Sequence, residues 1–65
     1  MTQLGDRLVR DGTTSADAGR LIEGAGFAWR ITVLDGAPQR ATKDLRADRF
    51  SLAVDHGVVV GYTIG

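Results

Sequence analysis

Apolar residues recur along this chain in two rhythms, one helical and one extended. Ala18, Leu21, Ile22 and Ala25 fall at i, i+3, i+4 and i+7, the spacing that lines one face of a helix. Thr13, Thr14 and Ser15 offer N-cap hydroxyls upstream, and Asp17 sits three residues after Thr14, where a capping box places an acid. Gly24 and Gly26 supply the left-handed position that ends a helix. The pattern predicts a helix of about three turns, with Arg20 and Glu23 on its outer side.

Beyond Gly26 the period drops to two. Phe27, Trp29, Ile31 and Val33 alternate with Ala28, Arg30 and Thr32, and Asp35-Gly36 closes the run. Phe50, Leu52 and Val54 alternate with Ser51, Ala53 and Asp55. Val58, Val60, Tyr62 and Ile64 share one face of a last segment. These are the signatures of half-buried strands, and His56-Gly57 between the last two reads as a tight turn with glycine at a positive φ. The first segment, 1–12, is mostly polar with Leu8 and Val9 as its clearest anchor, so it is expected to be a loosely ordered arm.

The predicted order is helix, strand, long loop, strand, turn, strand. It describes a single α+β domain over residues 1–65, with one helix packed on a small mixed sheet. The polar connection after Leu34 runs on the order of a dozen residues without a periodic pattern, which is uncommon in a compact domain unless it serves a function or is disordered. A tight hairpin needs far fewer residues, so the two strands that it joins are free to pair in parallel.

Composition narrows the chemistry. At 65 residues folding buries only about 60% of the surface of the unfolded chain. With no cysteine, neither disulfides nor cysteine-type zinc sites reinforce the core. Eight basic and eight acidic residues cancel and are interleaved, unlike the basic face of a nucleic-acid binder. The first twelve residues carry Asp6, Arg7, Arg10 and Asp11 and no apolar run long enough for a signal peptide or membrane span. Neither nucleic acid nor membrane is an expected partner, and the compartment is either cytoplasmic or that of a mature secreted form.

Catalytic chemistry is sparse. The single histidine, His56, falls in the predicted turn, and its neighbour Asp55 is expected on the opposite side of a strand, so no orienting partner is in reach. Asp35, Asp44, Asp48 and Asp55 lack the spacing of a calcium loop. Glycines 24, 26 and 36 lack the strand-glycine-helix order of a phosphate-binding loop. No metal or cofactor is expected, and the chain does not read as an enzyme. What remains is the loop, with Thr42-Lys43-Asp44 at its centre and Arg46 and Arg49 near its base. Guanidinium groups there can bond loop carbonyls and carboxylates and hold an extended loop rigid.

The run Thr42-Lys43-Asp44-Leu45-Arg46-Ala47-Asp48-Arg49 resembles the potato inhibitor type I family, which includes eglin and the barley chymotrypsin inhibitor, and its small bacterial relatives. The Phe50–Asp55 strand, the closing hairpin, the terminal Ile64-Gly65 and the capped helix are similar as well. The resemblance implies a monomeric, substrate-mimicking inhibitor of a trypsin-like or subtilisin-like serine protease. It implies a protease-binding loop at 36–48 in which Ala41, Thr42, Lys43, Asp44, Leu45 and Arg46 make contact. By similarity Lys43-Asp44 is the reactive bond; a register slip would put Thr42 or Leu45 at the specificity position. Arg49, Ser51 and Gly65 are expected to brace the loop, with Arg46 a further candidate. Where the family often has a second basic residue two positions after Arg49, this chain has Ser51. The alternative is a non-inhibitory protein-interaction module on the same scaffold, using the loop or an open sheet edge.

Overall fold

The computed structural model describes residues 2–39 and 47–65. Its elements are α1 (Thr2–Arg10), α2 (Ser15–Gly24), β1 (Ala28–Leu34), β2 (Ala37–Pro38), β3 (Arg49–Asp55) and β4 (Val58–Ile64). The strands form one sheet in the order β2-β1-β3-β4, with β1 and β3 parallel and the outer pairs antiparallel. An α+β fold on a mixed sheet is thus present, with a parallel central pair as the long connection allowed. Among the described residues no helix is long and apolar enough to cross a membrane.

The expected loose arm is instead helix α1. Leu4 and Leu8 stand one turn apart, Gly5 and Leu8 are buried, and Arg7 and Arg10 lie in the last turn, where cations favour the helix dipole. Gly5 lowers helix propensity by about 1 kcal/mol, which masks the pattern. Its use is steric: a Cβ there would stand 2.4 Å from the Tyr62 ring. Gly12, at φ +62°, turns the chain out of α1. The Tyr62 hydroxyl lies 2.8 Å from Asp6 Oδ1 and 3.0 Å from the Thr2 carbonyl, so β4 and α1 are tied by a polar contact over the ring.

The bond to Asp6, then desolvation and the Asp6 charge, raise the Tyr62 pKa above its usual value. Because the folded value is the higher, this contact stabilises fully below the unfolded tyrosine pKa, about 10. It is lost as pH rises through the folded value. A tyrosinate absorbance titration is therefore expected to give a midpoint above that of free tyrosine, and Asp6→Asn should bring it down. Equal midpoints in the two proteins would contradict the assignment.

Helix α2 starts as its caps predict, with Thr14 Oγ1 accepting from the Asp17 amide at 3.3 Å. Gly26, at φ +88°, follows the helix and takes the left-handed position, while Gly24 remains helical. The buried arc is Ala18, Gly19 and Ile22. It is rotated from the predicted face, and Leu21 is 52% exposed. The cause is Trp29, whose ring lies so close to Gly19 that a Cβ there would stand 2.5 Å from Cζ2. Gly19→Ala is expected to destabilise by up to about 2 kcal/mol, since overpacking of about 1–3 kcal/mol outweighs a helix gain of at most about 1 kcal/mol. Gly24, with nothing within 4 Å of an added Cβ, should gain about 0.5–1 kcal/mol when changed to alanine. Thermal unfolding separates the pair; shifts of the same sign would contradict the packing account.

On β3 the predicted alternation holds, with Phe50, Leu52 and Val54 buried among the helices. It breaks on both neighbours for one reason. Val54 pairs with Val59 while Ala53 pairs with Gly61, so Val60 is an extra residue. A bulge of this kind reverses the facing of everything beyond it. Tyr62 faces inward as predicted, but Val59 replaces Val58 and Val60 in the core, and Val60 is 55% exposed. On β1 the register shifts between Ile31 and Val33. Trp29 and Ile31 pack on the core as expected, whereas Val33 pairs with Ala53 on the other face.

Candidate functional site

Period-two geometry sends Arg49 and Ser51 to the sheet face opposite Phe50 and Leu52. Arg30 is the parallel-pair partner of Ser51 and shares that face. Arg49 and Ser51, 8% and 5% exposed, are the buried polar residues among those described. A buried guanidinium is costly unless paired and hydrogen-bonded. Here the Arg49 Nε donates to the Gly65 carbonyl at 3.3 Å. The Ser51 hydroxyl donates to the same oxygen at 2.7 Å. Arg30 donates through Nε to Ser51 Oγ at 3.1 Å and through Nη2 to Gly65 O at 3.4 Å. The Gly65 amide in turn donates to the Arg49 carbonyl at 2.9 Å, which fixes the acceptor in place.

This cluster lies where β1 and β3 begin, with Asp48 immediately before Arg49 in the chain. Both flanks of residues 40–46 are tied to β1. The Gln39 amide donates to the Thr32 carbonyl at 2.8 Å, and the Ala28 amide donates to the Asp48 carbonyl at 2.9 Å. The expected braces Arg49, Ser51 and Gly65 thus meet at one point. Ala41, Thr42, Lys43, Asp44, Leu45 and Arg46 lie outside the described residues.

Arg30 is the member that sequence reasoning passed over. It sat on the polar side of a strand, where a solvated arginine is ordinary. The signal was available in combination, because a parallel pairing of the two strands sets a long cation on β1 beside a small hydroxyl on β3.

At the opposite end of the sheet stand two matching turns, with positive φ at Asp35-Gly36 (51° and 79°) and His56-Gly57 (52° and 78°). Both are two-residue hairpin turns of the kind that matches strand twist, and the first adds the short strand β2 where only a loop was expected. Asp35 Oδ1 accepts from the His56 amide at 2.8 Å. His56 Nδ1 lies 3.2 Å from Asp55 Oδ2, so these neighbours do meet, contrary to strand geometry, because His56 has left the strand conformation. Ligand atoms of Asp35, Asp55 and His56 lie within 4.8 Å of one another. The contact of Asp35 with the His56 amide accounts for the approach of the two turns.

No family model, curated protein or solved structure matches this chain.

Proposed function

We propose that this chain is a reversible, substrate-like inhibitor of serine proteases, with residues 36–48 as the inserted loop and Lys43-Asp44 as the reactive bond. The observation that carries this reading is the buried Arg49, joined by Ser51 on the Gly65 carbonyl, three residues after the Thr42–Arg46 run. A guanidinium buried at the base of a long connection can donate to that connection and hold it in one shape. Holding it in advance removes the ordering cost that a flexible peptide meets on binding.

The chemistry follows from that restraint. The protease serine attacks the Lys43 carbonyl and the bond to Asp44 breaks, leaving an acyl-enzyme and a free Asp44 amine. When both ends stay in place, the amine attacks the ester and restores the peptide faster than water enters, because the reacting atoms are already oriented. Lys43 at the specificity position suits an acidic pocket such as that of trypsin.

Titration of trypsin-like and subtilisin-like proteases tests the proposal. Tight inhibition of a trypsin-like enzyme is expected, with Lys43→Ala weakening it by about 100-fold or more through loss of the charged contact. Rapid turnover after Lys43 without a stable complex would sink it. The interaction-module alternative draws on a different feature, the outer edge of β4 with its exposed Val60; it predicts that Lys43→Ala leaves partner binding untouched.

A further inference from the structure

We propose that the outer edge of β4 pairs with the same edge of a second copy of this chain, joining the two sheets into one. The proposal goes beyond the inhibitor reading and stands whether or not that reading holds. The two outer strands of the sheet are unlike. On one side, β2 has two residues and carries Pro38, and a short strand with proline is a poor template for a further strand. On the other, β4 reads Val58-Val59-Val60-Gly61-Tyr62-Thr63-Ile64. Neither a charge nor a proline blunts it. Val60 and Ile64 are 55% and 37% exposed, so α1, seated over the Tyr62 ring, does not close this edge.

The alternation of the ladder selects the residues that face outward. The Gly65 amide donates to the Arg49 carbonyl while Ile64 stands opposite Phe50, so the backbone groups of Ile64 point away from β3. Tyr62, opposite Leu52, is equivalent. Both residues therefore direct an amide and a carbonyl out of the sheet. Nearer the start of β4 the edge is taken, since the Val59 amide donates to the Thr13 carbonyl and the Ser15 amide to the Gly57 carbonyl, each at 2.9 Å.

A twofold axis at Thr63 sets Tyr62 of each copy against Ile64 of the other, and each such pair exchanges both N–H···O bonds. Gly65 of the second copy then lies opposite Gly61, short of residues 13–15. A register one pair nearer Ile64 leaves only Ile64 opposite itself. One pair nearer Gly61 sets Gly65 of the second copy against Val59, whose amide is already bonded. In the central register the side chains agree on both faces. Tyr62 meets Ile64 on the helix side and Thr63 meets Thr63 on the other, and aromatic with β-branched and threonine with threonine are favourable cross-strand pairs. The formal net charge is +0 at pH 7, so no long-range repulsion opposes two copies. An edge that fits itself in this way identifies the occupant as a second copy.

Sedimentation equilibrium of the full chain over a concentration series tests the pairing, with wild type, Thr63→Lys, Thr63→Glu and Val60→Lys. The wild type is expected to pass from monomer to dimer as concentration rises. Thr63 is exposed, so the monomer tolerates either charge. On the axis each charge faces its own copy, and the dissociation constant should rise by about 10-fold or more. An equimolar mixture of Thr63→Lys and Thr63→Glu should recover wild-type association to within about 3-fold, because opposite charges now face each other; unfolded chains cannot give that result. Val60→Lys lies outside the paired residues and should shift the constant by less than about 3-fold, its charges being screened across the axis. A wild type that stays monomeric throughout overturns the proposal. So does a dimer that Val60→Lys weakens and Thr63→Lys does not, which marks association through an apolar patch, and so does a lysine and glutamate mixture that remains monomeric.

Discussion

Phe50→Ala is expected to remove about 3–5 kcal/mol of stability and to lower the unfolding midpoint sharply. A chain of 65 residues holds roughly 3–10 kcal/mol in total, at about 0.05–0.15 kcal/mol per residue, so this single change takes a third of it or more. Phe50 is fully buried and joins both sides of the core. Its ring meets Phe27 edge-on at 5.9 Å and 64°, and Tyr62 at 5.9 Å and 42°. Such aromatic pairs are worth about 0.5–1.5 kcal/mol beyond burial. Phe27 follows α2 and Tyr62 lies on β4 against α1, so truncation opens a cavity between all three. Urea unfolding followed by fluorescence of the single Trp29 measures the loss. A decrease below about 1 kcal/mol would mean that the aromatic cluster can collapse, contrary to the packing described.

Arg49→Ala is expected to separate stability from inhibition. The arginine lies at the first residue of β3, on the face away from the helices, and its deletion leaves Phe50, Leu52 and Val54 in place. Ser51 and Arg30 still donate to Gly65 O, so that carbonyl is not orphaned. The expected loss of stability is about 1–2 kcal/mol, within the range for hydrogen bonds to charged groups. Inhibition should suffer more, by about 10- to 100-fold, since about 1.4 kcal/mol of lost restraint corresponds to tenfold in affinity. The variant should behave as a slow substrate, cut after Lys43 by trypsin. An Arg49→Ala protein that inhibits as well as the wild type would remove the brace from the account.

Much of this architecture was legible from particular residues. Phe50, Leu52 and Val54 alternate without interruption, and the length of the connection after Leu34 left the two strands free to pair in parallel. Thr14 and Gly26 marked the ends of α2. The misreadings share a physical origin, since they occur where tertiary contacts overrule local pattern. Gly5 weakens the helical signal of α1 because a tyrosine ring must lie on it. Trp29 on Gly19 rotates α2, and Val60 and the Ile31/Val33 shift reverse the facing of strand ends. No sequence period encodes a bulge.

The candidate site divides in the same way. Arg49, Ser51 and Gly65 were placed together by resemblance, and they meet on one carbonyl. Arg30 became visible only through cross-strand register, because its partners lie 21 and 35 positions away along the chain. His56 and Asp55, expected apart, meet because the turn carries a positive φ at a residue other than glycine.

The central claim is that a braced loop lets the Lys43-Asp44 bond be cut and remade on a protease. The most direct measurement starts from both sides, incubating intact chain and chain pre-cleaved after Lys43 with catalytic trypsin and following the two forms by mass spectrometry. The account predicts that both mixtures converge on the same ratio, with a substantial intact fraction. Complete and irreversible hydrolysis from both starting points would contradict it.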